Sequence, residues 1–548
     1  MPLDRGGWIR DPGAIVGAYV LVWTLLRCRG QGGLTEHKDN RLPTDRAVRV
    51  RWYGWLIALA CALTLYVLTL APDVVWQDQG DYQVQAAQCN LNRPGDVVRV
   101  HPLFIVTAHL VGRLGIFSYA YAANLVSAVF AAVTVANVYL LVYMLTGRTG
   151  AGALSAAVLA LAHSIWFLGV QAQTYSMANA AMSLGLVLTL AYLRSRRPAH
   201  LWAMGAAFGL GISAHIMSQI GFAVIMVWLL GRVTRRQMWP RTYLGILLAW
   251  AAGAALLWIV MAIEYQRSGD LWSTITSALW GRWERHVFNV ARLGILLKRS
   301  AQFFVLNFPT PLVLLAVPGI LLSFRRLAEP VIARLLLWMA IVYGLFAVRY
   351  DVPNMNNFFL PMYLLVAVYV GLGWAFLVSR RRLLWGTAAG VLLLCIPPTY
   401  YGLSELARGQ QIPLGTRRHI PYRDEYAYYL RPWQHNQTGP RRLAEELFAQ
   451  LPPRSILLAD MTTLAPLQYV HHVEGKRPDL YVLPLSARLE KLRVPLADGV
   501  SLFTVSDVPG YYPKWARADW LHEYPISAEE HIFRIGPPNP VNVFQGEP

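Results

Sequence analysis

Between Trp52 and Tyr401 the chain is a succession of apolar runs, each about the 20 residues a helix needs to cross the hydrocarbon core of a bilayer. With no water at that depth, every backbone polar group must be satisfied within its own segment, so such runs can fold only as membrane helices. The clearest lie at 52–71, 119–145, 151–168, 170–193, 241–263, 302–323, 331–349, 358–378 and 383–401. Hydrophobic residues make up 55% of the 548 and the mean hydropathy is +0.37. That excludes a purely cytosolic enzyme.

Two segments, 201–231 and 101–117, do not declare themselves by length. Charged residues are only 14% of the chain, yet the net charge is +19, and in an apolar protein this basic excess points to membrane topology before nucleic acid. Short cytoplasmic loops collect arginine, and the clusters are Arg148, Arg194/Arg196/Arg197, Arg232/Arg235/Arg236/Arg241, Arg325/Arg326 and Arg380/Arg381/Arg382. All share one side only if 201–231 crosses twice, with a tight turn near Ser213–His215, and they match the basic stretch Arg41 to Arg51 only if 101–117 lies along the surface without crossing. The expectation is a mainly α, polytopic helical bundle of about eleven spans, with its N-terminus inside and a small C-terminal α/β domain on the outer face.

That reading divides the chain into an N-terminal cytoplasmic or interfacial segment 1–51, a transmembrane domain 52–401 with outer loops 72–118 and 264–301, and an extracytoplasmic domain 402–548. The run Ala14–Leu26 is too short to span comfortably and reads as an interfacial helix or a dispensable extension. In the tail, a helical pattern at 440–451, the strand-like 456–460, a helix at 463–474 and the strand 481–485 form a β-α-β pattern. No glycine-rich phosphate loop accompanies it, which disfavours a nucleotide site. The four cysteines, Cys28, Cys61, Cys89 and Cys395, are scattered and suggest neither a disulfide framework nor a metal site.

The chemistry is expected in the outer loops. Directly after the first span, the sequence APDVVWQDQGDYQ places Asp78 and Asp81 at the membrane surface. A solvated loop turning at Gly80 would account for them. The flanking Trp76 and Tyr82 favour a functional reading, because partial desolvation raises a carboxylate pKa toward the range of a general base. Next, His101-Pro102 opens the apolar stretch of 101–117, and His101 is a candidate substrate ligand. At the outer surface, Arg282, Arg285 and His286, and then Arg349 beside Tyr350 and Asp351, are placed to meet an anionic group. Trp272, Trp280 and Trp283 could stack on a sugar, although anchoring in the headgroup belt is the commoner role. His163 and His215, near helix ends, read as structural groups.

The order of a first span, an acidic D-Q-G-D, a His-Pro and then NLVSAVFAAVTVANVYLLVYMLTG resembles the GT-C membrane glycosyltransferases, and within them the protein O-mannosyltransferase-like group. WFLGVQAQTYSMANA, GLGISAH, FFLPMYLLVAVYVGLG and ILLADMTTLAPLQYVHHVEGKRPDLYVL fit the same pattern over most of residues 52–485. Departures are Gln173 where the group often carries an acid, and H-P-L-F in place of a longer His-Pro motif. The resemblance implies transfer of mannose or a similar sugar from a polyprenyl-phosphate donor to an outer-face acceptor that is a protein, a lipid or a glycan. It makes Asp78 the general base and Asp81 a supporting acid, with inversion at the anomeric carbon. Membrane lipids and the lipid-linked sugar are the expected partners, with no nucleic acid. No cofactor is implied and a divalent metal is not required. The implied location is a bacterial plasma membrane, with the site and C-terminal domain outside. A transporter or flippase of a lipid-linked substrate would instead carry ionisable residues near the bilayer midplane, where these spans have almost none. A catalytically inert GT-C-like assembly subunit would share every feature except turnover.

Overall fold

The computed structural model describes residues 52–281, 292–352, 354–378, 381–414, 418–487 and 500–536. The segment 1–51 and the candidates Arg282, Arg285 and His286 lie outside the described residues. The chain begins with α1 (Trp52–Leu68), α2 (Gln77–Gln88), α3 (Pro102–Gly112), α4 (Tyr119–Thr146), α5 (Thr149–Ala160), α6 (His163–Gly169), α7 (Thr174–Ser195), α8 (Pro198–Ala214) and α9 (Ser218–Thr234).

Among the described residues, five helices are long and apolar enough to cross a membrane, and three bent helix pairs bring the number to eight by length and composition. α1 and α9 are shorter apolar helices. Three members, α4, α7 and the helix Met355–Leu377, are each 78% buried over their most apolar window, against 22% for Arg382–Gly409. Buried against protein over most of their surface, those three form the centre of the bundle, while Arg382–Gly409 lies at its edge. Close approach there depends on small residues. A Cβ at Gly373 would lie 1.9 Å from the Leu315 carbonyl oxygen, and one at Gly319 would lie 2.0 Å from that of Tyr369.

Segment 201–231 folds as α8 and α9, with the break at His215 in extended conformation. In 101–117 the helix α3 has 11 residues. At 1.5 Å per residue it is about half the thickness of a bilayer core. Some arginines of the expected inner clusters also close helix ends: Arg148 donates to the carbonyls of Ala375 and Val378, and Arg326 to that of Phe376 at 2.9 Å. These are the carbonyls left without partners where helix Leu360–Leu377 stops.

Three expected straight spans are bent. α5 and α6 meet at 67°, Pro240–Gly253 and Ala255–Ser268 at 66°, and Leu293–Asn307 and Pro311–Arg326 at 106°. In the last pair, Pro309 and Pro311 break the helix by withholding donors and excluding helical geometry before them. The expected outer loop 264–301 is largely helical where described. Asp270 caps Leu271–Leu279 by accepting from the amides of Trp272 at 2.9 Å and Ser273 at 3.2 Å.

The C-terminal module holds a five-stranded sheet of β1 (Ile456–Ala459), β2 (Tyr481–Pro484), β3 (Leu502–Thr504), β4 (Leu521–Pro525) and β5 (His531–Ile535), in the order β2-β1-β3-β5-β4. β1 runs parallel to β2 and β3, joined to β2 through the helix Met461–Gln468, while β5 is antiparallel to both β3 and β4. Helix Ile396–Gly409 runs through the expected boundary at 401/402.

This module is bolted to the segment that follows α1. The Arg441 guanidinium pairs with Asp73 at 2.6 Å and with Glu474 at 2.6 Å. The Ala120 amide donates to the Tyr469 hydroxyl at 3.0 Å, and the Gln434 amide to the Thr69 carbonyl at 2.9 Å.

Candidate active site

α2 carries both aspartates, so Asp78 and Asp81 are helical and not part of a loop turning at Gly80. Two buried side-chain amides hold the chain that enters this helix. Gln83 accepts from the Val75 amide at 3.0 Å and donates to Asn124 at 3.0 Å. Asn124 donates to the carbonyls of Ala71 and Asp73, both at 3.0 Å, and accepts from the Ala172 amide at 2.8 Å. With these buried polar groups satisfied, α2 has one position on the bundle. Asp78 occupies its first turn, where the helix dipole favours a negative charge, and Asp81 follows three residues later on the same face. Gly80 between them lies under the C-terminal module: a Cβ there would be 2.3 Å from the Val75 carbonyl oxygen and 2.9 Å from Ala465 Cβ.

Facing this pair is a cation. The Arg99 guanidinium lies 3.2 Å from Asp78, 3.9 Å from Asp81 and 3.7 Å from Asp96, with its side chain 15% exposed. Arg93 forms a second ion pair with Asp81 and donates to Gln85 at 3.3 Å. Burial works against the charge on Arg99, but Asp78 first, with Tyr82, Asp81 and Asp96, outweighs it and raises the pKa. The loop carrying Arg93 and Arg99 is fixed from the other side, where the Gly95 amide donates to Glu264 at 2.8 Å and the Val97 amide to the Ser277 hydroxyl at 3.0 Å.

Beside the acids runs a column of rings drawn from five segments. Tyr82 meets His101 edge-on at 5.4 Å, His101 stacks on His215 at 4.9 Å, and His215 lies against Tyr175 at 4.2 Å. Tyr175 continues to Phe358 at 5.8 Å, and Phe358 to Tyr350 at 4.4 Å. His101 has φ 51°, a left-handed backbone imposed where the chain turns to start α3 at Pro102. Burial, and then His215 beside it, holds its imidazole pKa well below the usual histidine range. Burial, with Asp96 nearby, pushes the Tyr350 phenol up to about 12, which keeps it a proton donor at neutral pH.

The structure therefore gathers Asp78, Asp81, His101 and Tyr350 into one neighbourhood. Asp351 pairs with Arg292 at 3.2 Å, and Arg349 is half-buried at the end of its helix, its Nε 3.4 Å from the Leu345 carbonyl oxygen. Arg93, Arg99 and Tyr175 were not singled out by sequence, and His215 read as structural. Their signal was position alone: two arginines in an acidic outer segment just ahead of His101-Pro102. Gln173, at the place of a family acid, caps α7 by accepting from the Thr174 amide at 2.9 Å. Among the described residues, no three His, Cys, Asp or Glu side chains are grouped to hold a metal ion.

The model of the protein O-mannosyl-transferase TMEM260 N-terminal domain matches residues 78–239, starting at Asp78 itself. The chain is similar to the GT-C, protein O-mannosyltransferase-like group. Mouse protein O-mannosyl-transferase TMEM260 is 25% identical over 459 residues, covering 78% of this chain and 62% of the mouse protein. The chain thus spans less than two thirds of that relative. The Dictyostelium discoideum protein O-mannosyl-transferase is 24% identical over 38% of this chain and 28% of its own length. Among solved structures, ArnT from Cupriavidus metallidurans bound to undecaprenyl phosphate superposes with a TM-score of 0.57 at 14% identity, covering 90% of this chain and all of ArnT. At that identity the likeness is one of fold, a polytopic helical architecture whose apolar helices suit an integral membrane protein.

Proposed function

We propose that the protein is a membrane glycosyltransferase that moves a sugar of the mannose type from a polyprenyl-phosphate carrier to a protein hydroxyl. The observation that carries the reading is the pair Asp78 and Asp81 on one face of α2, bridged by Arg99, at the start of the segment matching the TMEM260 N-terminal domain. Asp78 accepts the proton of the acceptor hydroxyl as its oxygen attacks the anomeric carbon. The carbon–oxygen bond to phosphate breaks, polyprenyl phosphate leaves with the electron pair, and the anomeric centre inverts. Arg99 pairs with Asp78 and aims it, and Asp81 holds Arg99. Arg349 and Tyr350 offer a cation and a phenol donor to the leaving phosphate, whose charge must be met for it to depart. The lipid-linked donor is supported by the fold shared with a protein that was solved with undecaprenyl phosphate, and the protein acceptor by the names of the relatives. About eleven spans, with α2 and the C-terminal module outside, fit the arginine pattern.

The test is direct. Full-length purified protein in nanodiscs is given a polyprenyl-phosphate-linked mannose and a Ser/Thr-containing polypeptide, and the polypeptide is weighed by mass spectrometry. A hexose adduct that depends on the protein is the expected result. A folded protein that yields no adduct with any pairing of lipid-linked donor and acceptor overturns the reading.

A further inference from the structure

A trough runs along the flank of α2 away from the aromatic column. Its first part, about 440 Å³, starts at Asp81 and Arg99 and is walled by the amides of Gln88 and Asn92 on one side and by Gln468 and His472 of the C-terminal module on the other. A second cavity of about 450 Å³ shares Gln88, Asn90 and Asn92 with the first and continues to Ile263, so the two form one open channel. Each volume is in the range of built ligand sites.

The walls determine what fits. Among the described residues no Phe, Tyr or Trp ring lines either cavity, so none of them is placed to take the apolar face of a sugar, and the apolar side chains, Val84 and Pro94 in the first part and Leu91 and Ile263 in the second, are interspersed with amides and charges, which does not suit a prenyl chain. Five side-chain amides, Gln85, Gln88, Asn90, Asn92 and Gln468, line the trough beside the charged Asp81, Arg93, Asp96 and Arg99, and a side-chain amide offers both a donor and an acceptor, as a peptide backbone does. Gln85 is already committed, donating to the Asp81 carbonyl at 3.3 Å and accepting from Arg93, and the Asn90 side-chain oxygen accepts from the Asn92 backbone amide at 2.9 Å, which leaves Gln88, Asn92 and Gln468 as the other amides along the walls. An open-ended trough also accepts a chain that enters and leaves, as an extended polypeptide does.

We infer that this trough is the acceptor subsite, taking an extended polypeptide segment and delivering its serine or threonine hydroxyl to the acids of α2, with Gln468 and His472 of the C-terminal module reading the segment. The inference rests on the transferase reading above and adds to it where the acceptor lies and what recognises it. It gives the C-terminal module a part in substrate selection.

The experiment uses Gln468→Ala, His472→Ala and the double variant of the full-length protein. Each is assayed for the KM of a serine-containing peptide, the KM of the lipid-linked donor, and donor hydrolysis with water as acceptor. Equilibrium binding of the same peptide with Ser→Ala gives a readout without chemistry. The double variant should raise the peptide KM and the peptide dissociation constant by about tenfold, with donor KM and water hydrolysis unchanged. Unchanged peptide KM and binding in a transferring enzyme would overturn the subsite while leaving the transferase intact. Transfer by the wild type to a glycan or lipid but to no peptide would overturn the acceptor class. No transfer by the wild type to anything would overturn the underlying reading itself.

Discussion

Gly80→Ala is the smallest change that probes how the acids are held. The new methyl would sit 2.3 Å from the Val75 carbonyl oxygen and 2.9 Å from Ala465 Cβ, so the carbonyl must retreat by about 1 Å to reach ordinary contact. It cannot do so freely, because the Val75 amide is bonded to buried Gln83. Alanine favours a helix over glycine by about 1 kcal/mol, whereas overpacking costs about 1–3 kcal/mol, so the net loss of stability is about 1 kcal/mol. In a protein of this size that lowers Tm by only a few degrees. The functional cost is larger. Gly80 lies between Asp78 and Asp81, and a displacement of about 1 Å at a reacting group costs about 100-fold in rate. Turnover with lipid-linked donor should fall by that order, while the thermal unfolding of solubilised protein shifts little. Adding Ala465→Gly relieves the weaker clash only and should restore little. Normal turnover in Gly80→Ala would refute the argument that the Val75 carbonyl and the module above α2 fix the acids, and full rescue by Ala465→Gly would refute the part given to the Val75 carbonyl.

Three further outcomes follow. Arg99→Gln removes a charge-assisted contact nominally worth about 1.5–3 kcal/mol; with Asp78 38% exposed, solvent screening puts the effect at the low end, about tenfold in kcat, read by steady-state turnover. Arg441→Leu unpairs Asp73 and Glu474, and should cost about 1–2 kcal/mol and expose the C-terminal module to limited proteolysis before the bundle unfolds. His101 is held neutral, with its folded pKa depressed below the unfolded value of about 6.5. Its contribution is therefore fully present above that pH and is lost as pH falls below it, at up to about 1.4 kcal/mol per unit, which thermal unfolding between pH 7 and pH 5 would register and His101→Phe should flatten.

The parts of the fold that were legible were those governed by a single strong constraint. Runs such as Tyr119–Thr146 have no alternative to helix in lipid, and the break at His215 followed from length and arginine placement together. The β-α-β at 456–484 showed because its strands are short apolar runs on either side of a helix. What escaped was set by tertiary contacts. QDQGDYQVQAAQ is polar and contains glycine, yet it is helical because Gln83 and Asn124 anchor it and the C-terminal module covers it. Arg99 stands among valines with Asp96 one turn before it, and only the fold brings it to Asp78 and Asp81, about 20 residues earlier. His215 and Tyr175 looked unrelated until α7 and α8 met beside His101. The strands β3 to β5 have 3 to 5 residues, too few for a periodic signal.

The central claim is that Asp78 takes the acceptor's proton. The most direct measurement is turnover of purified Asp78→Asn with a defined polyprenyl-phosphate sugar and polypeptide acceptor, beside its thermal unfolding. Asparagine keeps the shape and hydrogen bonding of the side chain but cannot accept that proton, so the account predicts a folded protein whose rate is lower by about 10²–10⁴-fold. Turnover near the wild-type rate in folded Asp78→Asn would contradict it and move the base to Asp81.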